Sequence, residues 1–486
     1  MKGTNMNRRE FIRFAAIGTA SMSLHVSAFS DEPVESKPNV LFIAVDDLND
    51  WIGCLGGHPD AKTPNLDRLA KRGMLFTNAH CSAPVCNPSR VSLLTGILPS
   101  TSGVYLNPQP FRIALPDAVT LPEHFKNHGY RVVGAGKIFH GGKNDYPRSW
   151  HEYFKPGQNN VPKDYTVDWA LDGGPLDITD DEMGDGKVAN WAVRQLSKKH
   201  DKPFFIGVGI FRPHLTWFVP RKYFDMYRPD KVTLPIVNDN DLEDLPPFAR
   251  ELAIYTNDYR KFTEVNKWRK AVTAYLACVS FADEMIGRVL DALEKSPYAD
   301  NTVIVLWGDH GWHLGEKLHW RKFTLWEEGT HCPLIIVAPG IPKPGGRCNR
   351  PVSLIDIYPT LVGICGLTQR EELEGKSLLP LLREPQAVWE RPSLTTYGRN
   401  NHSLRGERWR YIRYADGTKE LYDHDHDKLE WNNLADKPQY AGVKQEIARW
   451  LPKVNAPNAP DKNGNRDVKL WHRRYEYLRH RKIGFW

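Results

Sequence analysis

The sequence predicts an α/β protein: a large, mostly parallel sheet flanked by helices, followed by a smaller C-terminal α+β subdomain with an antiparallel sheet. Three observations lead there. Apolar, β-branched runs recur and each ends in polar or glycine residues, as strands buried on both faces do. Helical stripes lie between those runs. After Leu367 the pattern changes to short alternating segments divided by turn signals.

Along the chain, the first run is Val40 to Val45, which ends at Asp46-Asp47. Leu66 to Arg72 and Leu121 to His128 carry short helical patterns. Phe204 to Val208, Thr302 to Trp307 and Pro333 to Val337 read as further buried strands, and Trp307 leads into Gly308-Asp309-His310. From Ala271 to Glu294 a single stripe runs through Tyr275, Cys278, Val279, Ala282, Met285, Ile286, Val289, Leu290 and Leu293, the mark of a helix with one buried face. Ligands of an open α/β sheet gather beyond the carboxyl ends of its strands, so Asp46, Asp47, Asp309 and His310 are expected in one place. In the last third, Leu394 to Tyr397, Trp409 to Tyr414 and Lys419 to Tyr422 alternate, with Asp416-Gly417 as a hairpin turn and one packing helix around Val443 to Leu451. The division is therefore 1–30 a targeting segment, 31–367 the large domain, 368–455 the subdomain and 456–486 a basic, aromatic tail. For the tail, a helix with a charged outer face is favoured over a glycan-holding role.

The targeting segment rests on Asn7-Arg8-Arg9-Glu10-Phe11-Ile12-Arg13, a twin-arginine sequence, then a weakly apolar stretch to Val26 and a small-residue site at Val26-Ser27-Ala28. The stretch is too short to span a bilayer comfortably. Export to a periplasm or beyond is expected, with no stable membrane span. Hydrophobic residues make up 41% of the 486 and charged ones 25%, which is globular composition. The net charge of +7 is too diffuse for a nucleic-acid protein and suits an anionic substrate. Seven cysteines without a C-x-x-C pair are neither a disulfide scaffold nor a redox motif.

One cysteine stands apart. In Cys86-Asn87-Pro88-Ser89-Arg90-Val91-Ser92-Leu93-Leu94-Thr95-Gly96, Pro88 suits a first helical turn and places Cys86 at a helix N-terminus, where an anion is favoured and Arg90 adds charge. The pattern resembles the signature of type I, formylglycine-dependent sulfatases of the alkaline phosphatase superfamily. A second signature also matches, Gly129-Tyr130 followed by Gly136-Lys137-Ile138-Phe139-His140. The resemblance runs from Pro38 to Ala435. It is strongest to the iduronate-2-sulfatase branch, through Val45-Asp46-Asp47-Leu48, Arg212-Pro213-His214, Gly308-Asp309-His310-Gly311-Trp312 with Leu314-Gly315-Glu316, and Arg321-Lys322.

Three carboxylates repel one another unless a cation sits between them, and as hard oxygen donors they suit Ca²⁺ or Mg²⁺ rather than zinc. The expected ligands of one ion are Asp46, Asp47, Asp309, His310 and residue 86, with calcium favoured over magnesium by the resemblance. The resemblance also implies that Cys86 is converted to formylglycine by a formylglycine-generating enzyme. Its hydrate would attack sulfur, with Asp309 helping to remove the proton, His214 or Lys322 protonating the leaving alcohol, and His140 deprotonating the second hydroxyl to expel sulfate. Arg90, Lys137 and Lys322 would balance the charge of the hydrate and the sulfate. The implied substrate is a sulfated oligo- or polysaccharide, in particular a 2-O-sulfated uronate. Its expected subsite residues are Arg212, Trp312, His313 and His402, with Lys317, His319, Arg321, Trp217 and Arg405 as further candidates. Two other readings compete: a phosphonate or phosphodiester hydrolase of the same superfamily, and a non-catalytic glycan-binding protein with unmodified Cys86. Asp423-His424-Asp425-His426-Asp427 is read as a solvated turn.

Overall fold

A computed structural model describes residues 37–466 except 142, 158–172, 255–256, 265–266 and 342. The targeting segment and tail residues 467–486 lie outside the described residues.

The central sheet contains β1 (Asn39–Val45), β2 (Met74–Phe76), β3 (Arg131–Gly136), β4 (Glu152–Phe154), β5 (Phe204–Ile210), β6 (Thr302–Gly308), β7 (Leu334–Val337) and β8 (Gly346–Cys348). Their spatial order is β8-β2-β7-β6-β1-β5-β3-β4. Strand β1 is parallel to both β5 and β6, and β3 is parallel to β4 and β5. Strand β7 runs antiparallel to β6 and β2. Its apolar sequence predicts burial, not direction, because a strand covered on both faces looks alike either way.

Alternate residues of β1 serve two cores. Leu41, Ile43 and Val45 face a layer with α1 (Pro64–Arg72), α4 (Gly184–Leu196) and α5 (Trp268–Glu294). Val40, Phe42 and Ala44 face the layer holding α2 (Cys86–Thr95), α3 (Leu121–Asn127) and α6 (Ile357–Ile364). Helix α3 starts with a capping box in which Thr120 accepts from Glu123 N. Helix α5, the predicted stripe, is 27 residues long, and none among the described residues is long and apolar enough to cross a membrane.

The C-terminal sheet is antiparallel: β9 (Ser393–Thr396), β10 (His402–Arg405), β11 (Trp409–Arg413) and β12 (Lys419–Asp423) in that order. Helix α7 (Ala441–Ala448) covers one face through Val443 and Ile447. The other face, through Ile412, Tyr414 and Tyr422, packs on Val85, Leu325 and Trp326. Strand β10 is absent from the expectation because Leu404 is its one strongly apolar residue. It lies between two strands that complete its ladder, so polar side chains can be buried there. The start of the predicted tail packs back: Ala456 N donates to Ser100 O and Gln109 Nε2 to Ala459 O.

Candidate active site

Sheet register assembles the site. Val45 pairs with Gly308 and with Ile210, so β1, β6 and β5 end side by side and deliver Asp46-Asp47, Asp309-His310 and the Phe211–His214 turn. Strand β3 ends at the same level and delivers Lys137, since Gly136 pairs with Gly209. This approach depends on glycine: a Cβ on Gly209 would lie 2.4 Å from Lys137 backbone atoms. Helix α2 then brings Cys86 against these ends, with Val85 extended as its N-cap.

The side chains form one buried charge cluster. Arg90 donates from Nε to Asp309 Oδ2 (2.8 Å), from Nη2 to Asp46 Oδ1 (3.0 Å) and from Nη1 to Ile138 O (2.9 Å). Its fixed fork thereby ties two of the three carboxylates to the loop after β3. Lys137 Nζ donates to Asp46 Oδ2. Lys322 Nζ lies 2.7 Å from Asp47 Oδ1 and 3.0 Å from Cys86 Sγ. His310 Nε2 lies 3.3 Å from Cys86 Sγ, while its Nδ1 is held by Gly311 O at 2.9 Å, which turns Nε2 inward. His214 Nε2 stands 3.9 Å from Asp47 Oδ2. His140 is half-buried and helps to lower the Cys86 thiol.

Asp47 is locally unusual, a non-glycine residue at φ 59°. Its N–H donates to Asp309 Oδ1 (3.0 Å) and its carbonyl accepts from Tyr275 OH (2.8 Å), which hold it there. The sequence shows Tyr275 only as part of a stripe, where its hydroxyl is the single one on an otherwise apolar face.

Electrostatics follow from crowding. Burial alone would raise the Cys86 thiol, but Lys137 and Lys322, with His310, outweigh it and hold the thiol well below its usual range. Burial likewise opposes a charged His310, yet Asp309 prevails and the imidazole is pushed up to about 9. Burial pushes Asp309 up to about 6 against Arg90 and His310. Asp46 is lowered despite its burial, mainly by Lys137.

A cation fits this set. Asp46, Asp47, Cys86 and His214 each offer a ligand atom within 4.8 Å of one another, as do Cys86, Asp309 and His310. Asp47 Oδ2 is buried without a hydrogen-bond partner, as an oxygen reserved for a metal would be. A third cluster, Glu327, His424 and Glu430, differs: Arg410 pairs with both glutamates and Arg405 with Glu327. His424 is buried against Glu430 at 2.9 Å, so the turn that holds it is solvated only in part.

Most of the expected subsite residues are buried and bonded within the chain. His313 is fully buried between Glu316 O and Thr324 Oγ1. His402 is fully buried beside Thr396 Oγ1. Trp312 is buried, with Lys322 Nζ 5.5 Å from its ring centre. Arg212 is buried and clamps its own turn through Phe218 O and His214 O. Lys317 is buried against Asp241, His319 against Ala253 O, and Trp217 against Pro213 O. Arg405 pairs with Glu327 and the partly exposed Arg321 with Asp258.

The family model described as Sulfatase matches residues 38–367, and one described as N-sulphoglucosamine sulphohydrolase, C-terminal, matches 308–456. A curated sulfatase of Formosa agariphila is 39% identical over 86% of this chain and 87% of its own length. Iduronate 2-sulfatase of Homo sapiens is 32% identical over 68% of this chain and 69% of its own. Among solved structures, a phosphonate monoester hydrolase from Silicibacter pomeroyi shares the fold with a TM-score of 0.72 at 23% identity, covering 85% of this chain and 94% of that one. The chain belongs to the sulfatase family and is a sulfuric ester hydrolase.

Proposed function

We propose that the chain hydrolyses the sulfate ester of a sulfated glycan, with a 2-O-sulfated uronate as its sugar. The carrying observation is the closure of three carboxylates and three cationic side chains around Cys86 and His310 at the strand ends. Within the cluster those charges offset, so one added divalent cation makes the centre net positive and receptive to a sulfate monoester. The likeness to human iduronate 2-sulfatase supports the 2-O-uronate reading.

In this reading Asp46, Asp47, Asp309 and His310 hold one Ca²⁺ together with residue 86, which a formylglycine-generating enzyme has converted. Bound there, the metal and the formylglycine supply an acidified hydroxyl as nucleophile and Lewis-acid polarisation of the sulfate. The rest falls to the chain. Arg90 fixes Asp46 and Asp309 so that neither carboxylate can swing away. Lys322 and Lys137 offset anionic charge around residue 86. In this reading His140 accepts a proton from residue 86. His214 presents Nε2 on the side of Asp47, with Lys322 beside it, where a leaving alcohol oxygen takes its proton. The 31–367 and 368–455 division and the twin-arginine export route complete the proposal.

The test uses protein whose residue-86 peptide carries the aldehyde mass, loaded with calcium, and a 2-O-sulfated uronate disaccharide. Sulfate release that Cys86→Ala abolishes, with a matched phosphodiester cleaved far more slowly, is the expected result. Faster phosphodiester cleavage would overturn the sulfate-ester reading. Cleavage of other sulfated sugars, but not this one, would overturn the uronate alone.

A further inference from the structure

Asp185 lies in the first turn of α4, is buried, and makes none of the cluster's charge contacts. Both of its oxygens are spent on the backbone just after β5: Oδ1 accepts from Phe211 N (2.7 Å) and Oδ2 from Arg212 N (2.9 Å). Two successive N–H groups that leave a strand would otherwise be buried without partners. A bidentate carboxylate satisfies both and also fixes where the turn begins.

That turn carries His214. His214 N donates to Phe211 O (2.9 Å), so the imidazole projects from residues that Asp185 pins. His214 Nδ1 is engaged by Leu215 O at 2.7 Å, which leaves Nε2 as the atom directed at the site. Phe211 packs on His214 with ring centres 4.6 Å apart, and Arg212 Nη1 closes the turn on His214 O at 3.2 Å.

We propose that Asp185 is the positioning residue for His214: its carboxylate, bound to Phe211 N and Arg212 N, sets the imidazole against the leaving oxygen and acts on turnover only through it. This rests on the reading of His214 as the proton donor to the leaving group. A displacement of about 1 Å at such a group costs about a hundredfold in rate. Asp185→Asn keeps the size of the side chain but opposes an N–H with an amide N–H at one of the two bonds.

The experiment is a double-mutant cycle on the calcium-loaded, converted full chain, with Asp185→Asn, His214→Ala and the pair. The substrate is whichever member of a panel of monosulfated disaccharides the unsubstituted enzyme cleaves fastest. Asp185→Asn should lower kcat about 10- to 100-fold with KM within about threefold. On the His214→Ala background the same change should cost less than about twofold, since the group it positions is gone. Equal losses on both backgrounds, with His214→Ala itself impaired, overturn the positioning role and leave the reading of His214 intact. A His214→Ala enzyme as fast as the parent overturns that reading, and the inference with it. If Asp185→Asn is not recovered folded, Asp185→Glu enters the same cycle with the same criteria.

Discussion

At the scale of single residues, Arg90 carries more of the site's order than any other side chain. It is fully buried, pairs with Asp46 and Asp309, and caps two carbonyls of the loop after β3. Arg90→Met would leave two buried carboxylates short of a cation, a change that costs about 3–5 kcal/mol. Urea unfolding should show a loss of that size, and calcium should restore part of it by placing charge between the same carboxylates. A loss below about 1 kcal/mol would mean that Lys137 and Lys322 suffice. Residues of this kind were legible in the sequence, because Cys86, Arg90, Asp46 and Asp309 sit in short patterns at strand or helix ends. The surroundings of the expected subsite residues were not. A sequence displays Lys317, His313 or Arg405 as free charge or ring, while the fold hands each one a partner.

At the scale of elements, length and apolar continuity made β1, β5, β6 and α5 readable, whereas β10 and the direction of β7 depend on neighbours that no local pattern encodes. The cost of burying polar groups in β10 is measurable. Burial, with help from Arg413, pushes the His402 imidazole down to about 4. A histidine depressed in the folded state contributes stability that is complete above its unfolded pKa of about 6.5 and is lost as pH falls toward 4. At pH 5 the loss amounts to about 2 kcal/mol. Thermal unfolding of His402→Gln should therefore change less between pH 7.5 and pH 5 than the parent does, even though the variant is less stable at neutral pH. His124, also pushed down to about 4, titrates in both proteins and cancels in the comparison. Equal pH slopes would show that His402 is protonated without penalty.

At the scale of the whole molecule, the boundary after residue 367 marks a change of pattern and not a break in packing. The described residues from Lys37 onward form one compact unit. The C-terminal sheet supplies the partners of groups in the large domain: Arg405 and Arg410 neutralise Glu327, and Glu420 accepts from Trp326 Nε1 at 2.7 Å. Thr395 Oγ1 donates to Cys81 O and Thr396 N to Ser82 O, only a few residues before Cys86. A chain ending at residue 367 would expose Val85, Leu325 and Trp326 and leave Glu327 buried in part without its arginines. Apolar burial is worth about 25 cal/mol per Å², so uncovering this shared apolar face removes a sizeable part of the stability of a marginally stable domain. The truncated chain should therefore fail to give a cooperative thermal transition, while the full chain unfolds in a single one with activity and tertiary signal lost together. A truncated chain that melts cooperatively and binds calcium would show that the large domain folds alone, and that the sheet after it serves the substrate rather than the fold.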